Sequence, residues 1–394
     1  MKNVQKQQPS LLLLIVLVGF PQISESIFTP ILPALSRAMH VTAGHSQLTM
    51  SWYFIAFALG VLLWGQFADA YGRRPAMLGG LAIYLLGNLG LLLSPSFSWL
   101  LGARLVQAFG ASAGSVVTQT IMRESFTGIR GAQVFARVSA ALALSPALGP
   151  LIGGAVQTHF GYRNVFSVLV MLAVACLLYA GTRLPETRPA TVRVASWAQQ
   201  RQVVGRLIRD PGVWVYGLLI SGINGLLFSY YAEAPFIFET HFGFSAVAYG
   251  SLGLLLAAAS LGGALLVNWL VTFWAPTTVA RNGLWLSVAA AGGLVVAATF
   301  HQLVGMLIGI FLVFLGLNIT LPNALNRALI GYEAVMGSAS GWFSLAYYLA
   351  VSALTYLMSW LHHGSITTLP WYMFGVTLVM ALAYGWLGYH QAHH

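Results

Sequence analysis

The chain reads Gly65-Gln66-Phe67-Ala68-Asp69-Ala70-Tyr71-Gly72-Arg73-Arg74 between two long apolar segments, near residues 47–68 and 75–94. Roughly 20 apolar residues are enough for a helix to cross a bilayer, so each segment is long enough to span it. Gly72 suits a tight turn, Gly65 permits close helix approach, and Asp69 can pair with an arginine or cap a neighbouring helix. The stretch therefore predicts two membrane-spanning helices joined by a short polar turn.

The composition extends this prediction to the whole chain. Of 394 residues, 58% are hydrophobic and 7% are charged, whereas a soluble domain carries about 25% charged residues. Long apolar runs, separated by polar or Pro/Gly clusters, mark twelve candidate spans. They lie near 11–36, 47–68, 75–94, 97–122, 132–158, 164–183, 213–239, 244–270, 283–301, 303–325, 336–360 and 369–389. A water-soluble protein is therefore excluded, and no large soluble domain fits beside the spans.

Basic residues are distributed unevenly between the two sides of these spans. With the N-terminus inside, the outer side collects only Arg37 and Arg163, and Arg104 lies within a span. The inner side collects Lys2, Lys6, Arg73, Arg74, Arg123, Arg130, Arg137, Arg183, Arg188, Arg193, Arg201, Arg206, Arg209, Arg281 and Arg327. Because positive residues near span ends stay in the cytoplasm, both termini are predicted to be cytoplasmic. The formal charge of +10 therefore indicates membrane orientation and not a nucleic-acid partner.

A long basic connection, residues 188–212, divides the chain into two six-span halves, 1–187 and 213–394. On a short helix its apolar side chains would share one face, which could rest on anionic inner-leaflet lipid. These side chains are Trp197, Val203, Val204, Leu207 and Ile208. The alternative is a solvated basic linker, and the sequence leaves both interpretations open.

Three signatures in the first half are similar to those of a transporter family. The stretch Gly65 to Arg74 has the pattern G-x-x-x-D-x-x-G-R-R and resembles the cytoplasmic signature of the major facilitator superfamily. The segment Arg104-Leu105-Val106-Gln107-Ala108-Phe109-Gly110 resembles its fourth-span signature, and Gly149-Pro150-Leu151-Ile152-Gly153-Gly154 is similar to its antiporter signature. The resemblance implies an all-α integral membrane protein with twelve transmembrane helices in two pseudo-symmetric six-helix bundles. A kinked helix of small residues lets such bundles approach and rock.

Further segments resemble the Bcr/CflA group of drug:proton antiporters. They are Pro30-Ile31-Leu32-Pro33, Gly161-Tyr162-Arg163, Leu184-Pro185-Glu186-Thr187, Ala234-Pro235-Phe236-Ile237, Leu321-Pro322-Asn323-Ala324 and Gly337-Ser338-Ala339-Ser340. That group often has an acid where this chain has Ser26, and the adjacent Glu25 is the expected substitute. The resemblance implies a monomeric, proton-coupled multidrug efflux antiporter of the bacterial inner membrane, which exports small organic molecules by alternating access.

Among the acidic residues, only Glu25 and Glu233 lie at membrane depth, and both are predicted to be proton-coupling groups. An acid at the centre of a spanning helix costs about 2.5 to 3.5 kcal/mol, so it is a functional candidate. Glu25 shares a helical face with Gln22, Ser26 and Thr29, and this polar stripe is expected to face a wet cavity. The orientation of Glu233 stays open, because the polar and aromatic stripe of its helix points roughly the opposite way.

Polar and aromatic residues inside the spans are the candidates for a substrate cavity, since an aromatic pocket that contains an acid suits lipophilic cations. They are Gln22, Thr29, Tyr53, Phe57, Arg104, Gln107, Asn224, Phe228, Tyr231, Asn318, Asn323, Trp342 and Tyr347. Arg104 is expected to meet an acid, helix carbonyls or water, and its positive charge leaves the sign of the substrate open.

Catalysis is not expected. Gly110-Ala111-Ser112-Ala113-Gly114 matches the G-x-S-x-G pattern of hydrolases, but it lies within an apolar helix and also has the spacing of helix-packing glycines. No G-x-x-x-x-G-K-[ST] loop for ATP occurs, and neither a metal site nor a cofactor is predicted. Two alternatives remain: a dedicated transporter of one solute such as a siderophore, nucleoside or peptide, and a membrane receptor or scaffold that transports nothing.

Overall fold

The structure, a computed structural model, describes residues 8–126, 128–189 and 196–393. Within these residues twelve helices are long and apolar enough to cross a membrane, which confirms the predicted number, and no strand is formed. Spans 1 to 6 are Leu11–Ala38, Ala43–Tyr71, Arg73–Leu92, Phe97–Ser125, Gly128–Phe160 and Tyr162–Arg183. Spans 7 to 12 are Pro211–His241, Ala246–Leu270, Pro276–Thr299, Leu303–Arg327, Met336–Leu361 and Thr368–His390.

Spans 1 and 7, which both contribute to the contact between the halves of the chain, are not continuous α-helices. Span 1 is an α-helix over Leu11–Ser26, a 3-10 turn over Thr29–Ile31 and a second α-helix over Leu32–Ala38. Pro30 and Pro33 lack the backbone N–H that would continue the first helix, so the helix ends at Ser26. Span 7 changes from an α-helix, Pro211–Phe236, to a π-helix, Ile237–His241, directly after Pro235. The polar stripe predicted on span 1 is therefore interrupted between Ser26 and Thr29.

The buried apolar side chains form two large cores, one in each half of the chain. The first extends from Leu13 to Leu184 and includes Val351 from the second half. The second extends from Val215 to Leu387 and includes Met50 from the first half. Apart from these two residues, each core is built from its own six spans, which is the two-bundle architecture implied by the family resemblance. We call them the N-bundle and the C-bundle.

The two bundles meet along pairs of helices. Spans 2 and 11 run together, and Ser352 Oγ donates a hydrogen bond to the Ser51 carbonyl oxygen at 2.7 Å. Spans 5 and 8 meet through the second half of span 5, Ser145–Phe160, while its first half, Gly128–Leu142, packs on spans 1 and 4. We call the end that holds the loops after spans 1, 3, 5, 7, 9 and 11 the outer end, following the predicted orientation. The seam between spans 5 and 8 thus lies at the outer end.

The linker contains a helix, Trp197–Arg209, that begins with a capping box of Ser196 and Gln199. Its Val203 and Leu207 are buried against Tyr332 and Ala339 of the C-bundle, whereas Trp197 and Ile208 are exposed. Gln200 Oε1 accepts a hydrogen bond from Trp342 Nε1 at 2.7 Å. The predicted apolar face is therefore divided, because part of it packs on protein and part faces outward.

Residues 190–195 of the predicted 188–212 linker, with Arg193, lie outside the described residues, as do Lys2 and Lys6.

Candidate functional site

A cavity of about 140 Å³ lies between the bundles. Its lining comes from the N-bundle on one side and from spans 7 and 11 of the C-bundle on the other. The lining residues are Val18, Pro21, Gln22, Glu25, Ser26, Phe57, Ser115, Ser145, Asn224, Leu227, Phe228, Tyr231 and Tyr348. Glu25 is the one charged residue in this lining.

Glu25 lies in the last turn of the first helix of span 1, next to the break at Ser26. Its side chain is 5% exposed, and the neighbouring Ser26 Oγ donates to the Gln22 carbonyl oxygen at 2.8 Å. Glu25 and Gln22 lie three residues apart, on one face of this helix, and both line the cavity. A carboxylate in such a place can hold a proton or attract a cation, since both neutralise a buried charge.

Aromatic rings from both bundles line the cavity that contains Glu25. Phe57 and Tyr348 face each other across the bundles with ring centroids 4.8 Å apart. Phe54 and Phe228 do the same at 4.4 Å, and Phe228 contacts Tyr231 at 5.9 Å. This wall of rings offers an apolar surface with negative ring faces, which suits flat or lipophilic cations.

Arg104 lies behind the cavity wall and not in the cavity lining. Its side chain has no exposed surface, and its guanidinium carbon lies 4.4 Å from the centroid of the Phe28 ring and 4.3 Å from that of Tyr53. It donates to Gln107 Oε1, and at 3.5 Å to the Ser24 carbonyl oxygen. An acid, helix carbonyls or water were expected as partners of this arginine, and the structure gives it one helix carbonyl, a side-chain amide and two ring faces instead of a bonded acid. Arg104 is absent from the cavity lining, although it acts electrostatically on Glu25.

The cavity brings together only some of the residues predicted for it. Gln22, Phe57, Asn224, Phe228 and Tyr231 line it. The residues that lie elsewhere are Thr29, Tyr53, Arg104, Gln107, Asn318, Asn323, Trp342 and Tyr347.

Each of these has other neighbours. Thr29 bonds to Ser26 beyond the helix break, and Asn318 donates to the Phe314 carbonyl oxygen. Asn323 Oδ1 accepts a hydrogen bond from the Tyr384 hydroxyl, and Trp342 holds the linker helix.

Several lining residues were not among those predicted, notably Ser115, Ser145 and Tyr348. Ser115 shares the helical stripe of Arg104 and Gln107, so its position on span 4 was a usable signal. Tyr348 is adjacent to the predicted Tyr347, and neighbouring side chains point about 100° apart around a helix. Which of the two faces the cavity depends on the rotation of span 11 about its axis, and periodicity alone does not give this rotation.

Glu233 lies away from this cavity, at the outer end of span 7. Its carboxylate Oε2 accepts a hydrogen bond from Gln47 Nε2 at 2.6 Å and lies 2.8 Å from His362 Nδ1. The side chain is 1% exposed. The open question about its direction is thereby answered, because Asn224, Phe228 and Tyr231 face the cavity and Glu233 faces spans 2 and 11.

The inner signature forms a network of charges. The Arg73 guanidinium bonds to Asp69 Oδ1 at 2.6 Å and to both oxygens of Glu124 at 2.6 and 3.1 Å. Gly72 has a φ of 115°, a conformation that glycine adopts without strain, and this lets span 3 begin directly after span 2. Glu124 supplies a second acid, so the Arg73 guanidinium is paired with two carboxylates.

Glu186 closes this network from the segment after span 6. Its carboxylate accepts the backbone N–H groups of Arg73 at 2.9 Å, Arg74 at 3.1 Å and Arg188 at 2.9 Å. The carboxylate therefore caps the N-terminus of span 3, where negative charge is favoured. Burial by itself would raise the pKa of the Glu186 carboxyl, but the N–H groups of Arg188, Arg73 and Arg74 hold this pKa below its ordinary value.

The glycine signature of span 5 lies where three helices cross. A Cβ at Gly149 would overlap Ser26 Oγ, and one at Gly153 would overlap the Ile27 carbonyl oxygen of span 1. A Cβ at Gly154 would overlap the Ala246 carbonyl oxygen of span 8. Pro150 belongs to the same contact, because its carbonyl oxygen lies against Gly250 of span 8. By contrast, a Cβ at Gly65 would meet Val116 at an ordinary 3.7 Å.

The sequence model described as the Major Facilitator Superfamily matches residues 14–355. The chain belongs to this superfamily. It is 33% identical over 365 residues to an uncharacterized transporter of Rickettsia bellii, which covers 90% of each chain. It is 30% identical to a chloramphenicol resistance protein of Pseudomonas aeruginosa, over 84% of this chain and 80% of that one. The crystal structure of a D-xylose-proton symporter superposes with a TM-score of 0.74 at 14% identity, over 94% of this chain and 96% of that chain.

These likenesses confirm the resemblance, the fold and the exclusion of catalysis. The chain is a multi-pass membrane transporter of the superfamily and not an enzyme, and its partner is a small-molecule substrate. The likeness to the xylose symporter at 14% identity shows the shared fold alone. The receptor or scaffold alternative is thereby set aside.

Proposed function

We propose that this transporter exports small organic molecules in exchange for protons by alternating access, with Glu25 as the proton-coupling residue. The observation that carries the proposal is the position of Glu25, the charged residue of a cavity lined by both bundles. A group between two moving bodies can be offered to each side of the membrane in turn. The proposed setting is the bacterial inner membrane, with both termini cytoplasmic and the chain working as a monomer.

The chemistry follows from competition for one carboxylate. With Arg104 enclosed by Phe28 and Tyr53, the carboxylate is the charge that a substrate meets. A lipophilic cation between the aromatic rings and a proton on Glu25 each neutralise this charge, so binding of one favours loss of the other. Such competition is the exchange that an antiporter needs.

The size of the cavity requires movement of the bundles. Pockets for drug-sized ligands have volumes of roughly 300 to 1,000 Å³, larger than the cavity between these bundles. The outer end is closed by the contacts of spans 5 and 8, so substrate would enter when the inner ends separate. The linker helix and the inner charge network lie at that end, where such separation would be controlled.

The relatives support export in particular. A resistance protein is similar over most of the chain, and the span 5 glycines lie at the crossing of spans 1, 5 and 8. Glu233, the second predicted proton-coupling acid, faces the seam between the bundles, so we assign exchange with substrate to Glu25 alone. An importer, or a transporter dedicated to one solute, would have the same fold and would differ in the substrates that it carries.

The test is proton-driven accumulation of tetraphenylphosphonium, a lipophilic cation, in proteoliposomes of the full chain. Glu25→Gln keeps the size of the side chain but cannot carry a proton, and we expect at least a tenfold loss of driven transport. Glu239→Gln is the matched control, because Glu239 is also partly buried but lies in the π-helix at the outer end, outside the cavity. It should transport within about twofold of the parent protein.

Two further measurements make the test decisive. The purified parent should release protons when tetraphenylphosphonium is added, and the Glu25→Gln variant should not. Neutral chloramphenicol in the same assay probes the substrate class. Proton-driven accumulation by Glu25→Gln at the parent rate would overturn the assignment.

A further inference from the structure

A second seam at the outer end, where span 2 meets spans 7 and 11, contains a buried acid and base that belong to the C-bundle and are covered by the N-bundle. Glu233 of span 7 and His362, directly after span 11, belong to the C-bundle, and His362 Nδ1 lies 2.9 and 2.8 Å from the two carboxylate oxygens. Gln47 of span 2 belongs to the N-bundle and donates to the same carboxylate at 2.6 Å. The exposed fractions of the side chains are 1% for Glu233 and 14% for His362. The contact of the bundles therefore covers the pair.

Other titratable groups lie near this seam. Arg37 lies near Glu239 and acts on it electrostatically, and Glu239 is on the far side of Pro235 from Glu233. His45 bonds to Thr42 at 2.8 Å, and His241 to the Gly364 carbonyl oxygen at 2.9 Å. The titratable groups toward the outer ends of the elements around this seam include Arg37, His45, Tyr230, Tyr231, Glu239, His241, Tyr249, His363 and Tyr372. In the described residues, the hydrogen-bond partners of the Glu233 side chain are Gln47 and His362.

Closing the seam takes the pair out of water, and the cost depends on its net charge. With one proton on the pair, the buried charges sum to zero, whether the proton sits on the imidazole or is shared with the carboxylate. Without that proton, an ionised Glu233 is buried beside a neutral histidine, and the closed seam encloses one uncompensated negative charge. Burying an unpaired charge is much more costly than burying a neutral pair, so proton binding favours closure.

We propose that Glu233 and His362 form a proton-binding latch on the outer gate, closed when Gln47 covers the protonated pair. The proton arrives from the outer side after the substrate has left and drives the outer ends together. It returns to the same side when the gate next opens, so it is not the transported proton of Glu25. This latch rests on the proposed alternating access and adds a response to external pH.

The test measures whether a cysteine in the seam can be reached from outside. Cys176, the only cysteine of the chain, is replaced by alanine, and Ser359→Cys is added as the reporter. Ser359 is 7% exposed, and its carbonyl oxygen lies against Gly44 of span 2. The rate of labelling by an impermeant maleimide is measured in right-side-out vesicles without substrate between pH 8 and 5.5. It is divided by the rate at Ser98→Cys, an exposed outer site, to cancel the effect of pH on thiol reactivity.

In the parent, the normalised rate should fall at least threefold from pH 8 to 5.5, because the latch closes in acid. His362→Gln should remove this fall and raise the rate at acid pH. Glu233→Gln should reverse the pH dependence, so that the normalised rate rises as the pH falls. The reason is that protonation of His362 beside a neutral amide would bury a net positive charge in the closed seam. His363→Gln is the matched control, the adjacent exposed histidine, and should respond like the parent.

The same response should persist in the Glu25→Gln background, because the latch and the coupling residue are separate groups. Loss of coupled transport in that variant therefore tests the proposed function, and the pH response of the reporter tests the latch. A parent rate without pH dependence would overturn the latch. An unchanged response in His362→Gln, or the parent direction in Glu233→Gln, would do so equally.

Discussion

At the scale of single residues, the inner end shows how one arginine is held by several acids. Arg73 is 2% exposed and bonds to Asp69 and Glu124, while Glu186 takes its backbone N–H. These contacts tie the turn between spans 2 and 3 to span 4 and to the segment after span 6. Since none of these residues lines the cavity, their effect on transport should come through the balance between conformations.

Asp69→Asn should therefore slow turnover and change substrate affinity by less than about twofold. The amide keeps an acceptor for Arg73 but loses the charge, so the network is weakened while Glu124 still pairs. Turnover and affinity for tetraphenylphosphonium in proteoliposomes are the measurements, together with labelling of inner and outer cysteines. Glu333→Gln is the control, an exposed acid whose carboxylate bonds to the nearby Gly331 N–H. A large loss of affinity with unaltered labelling would contradict the placement of Asp69.

Glu186→Gln should make stability less dependent on acid pH. The pKa of this carboxyl is lowered in the folded protein, so its stabilising contribution is present above its ordinary pKa and is lost as the pH falls through the lowered value. The variant should be less stable than the parent at pH 7, by less than about 1 kcal/mol because the group is exposed. The difference should shrink on acidification. Thermal unfolding in detergent at pH 7 and pH 4 measures it, and a difference that grows in acid would refute the capping role.

At the scale of helices, two contacts between elements decide how parts of the chain are held. The linker helix docks on the C-bundle through Val203 and Leu207, and the span 5 glycines bring span 5 against spans 1 and 8. In both cases the contact is made by small or apolar side chains at one face of a helix. Each contact can be tested by a substitution at the contact and a matched substitution away from it.

Leu207→Ala should loosen the linker helix, and Ile208→Ala should not. Leu207 is 7% exposed and Ile208 is 59% exposed on the same turn. Removing a buried leucine costs roughly 2 kcal/mol or more, which corresponds to at least a tenfold rise in the open population. Limited trypsin cleavage at Arg201 and Arg209 reports this opening. Equal cleavage rates in the two variants would show that the helix is not docked in this way.

Gly154→Ala should separate spans 5 and 8 at the outer end. The new methyl group would overlap the Ala246 carbonyl oxygen, which cannot move without its helix. The Ser359→Cys reporter should then be labelled several times faster from outside. Gly293→Ala is the matched control, because a Cβ there meets nothing within 4 Å. Unchanged labelling in Gly154→Ala would show that the contact of spans 5 and 8 does not hold the outer ends of the bundles together.

At the scale of the whole molecule, the two bundles are closed on each other at the outer end, and one carboxylate lies between them. Transport then follows from the free energy that moves charge across the membrane. One charge moving through 100 mV corresponds to about 2.3 kcal/mol, and one pH unit to about 1.4 kcal/mol. Which of these terms drives export depends on the charge of the substrate exchanged for one proton.

Export of a monovalent cation should depend on the pH difference alone, because one-for-one exchange moves no net charge. Nigericin in potassium medium collapses that difference and should abolish export of tetraphenylphosphonium, while valinomycin, which collapses the potential, should leave it nearly intact. Export of a neutral substrate should be reduced by both. Cation export that persists after nigericin with the potential intact would reject one-for-one exchange, and with it Glu25 as the sole coupling group.

Segment by segment, the amino-acid sequence determined the twelve spans, the excess of positive charge at one end and the family. These are properties of local composition and of motifs such as Gly65 to Arg74, which do not depend on the arrangement of the helices. The acid at the cavity, Glu25, could also be predicted from the sequence, because an acidic residue within an apolar run is rare.

Only the tertiary structure decided which side chains face one another. Glu233 meets Gln47, 186 residues away, and His362, 129 residues away, and neither pairing leaves a local pattern. Arg104 lies over the rings of Phe28 and Tyr53 and not in the cavity lining. The first helix of span 1 ends before Thr29. Helix rotation and crossing are set by packing over the whole bundle, so periodicity along one helix does not contain them.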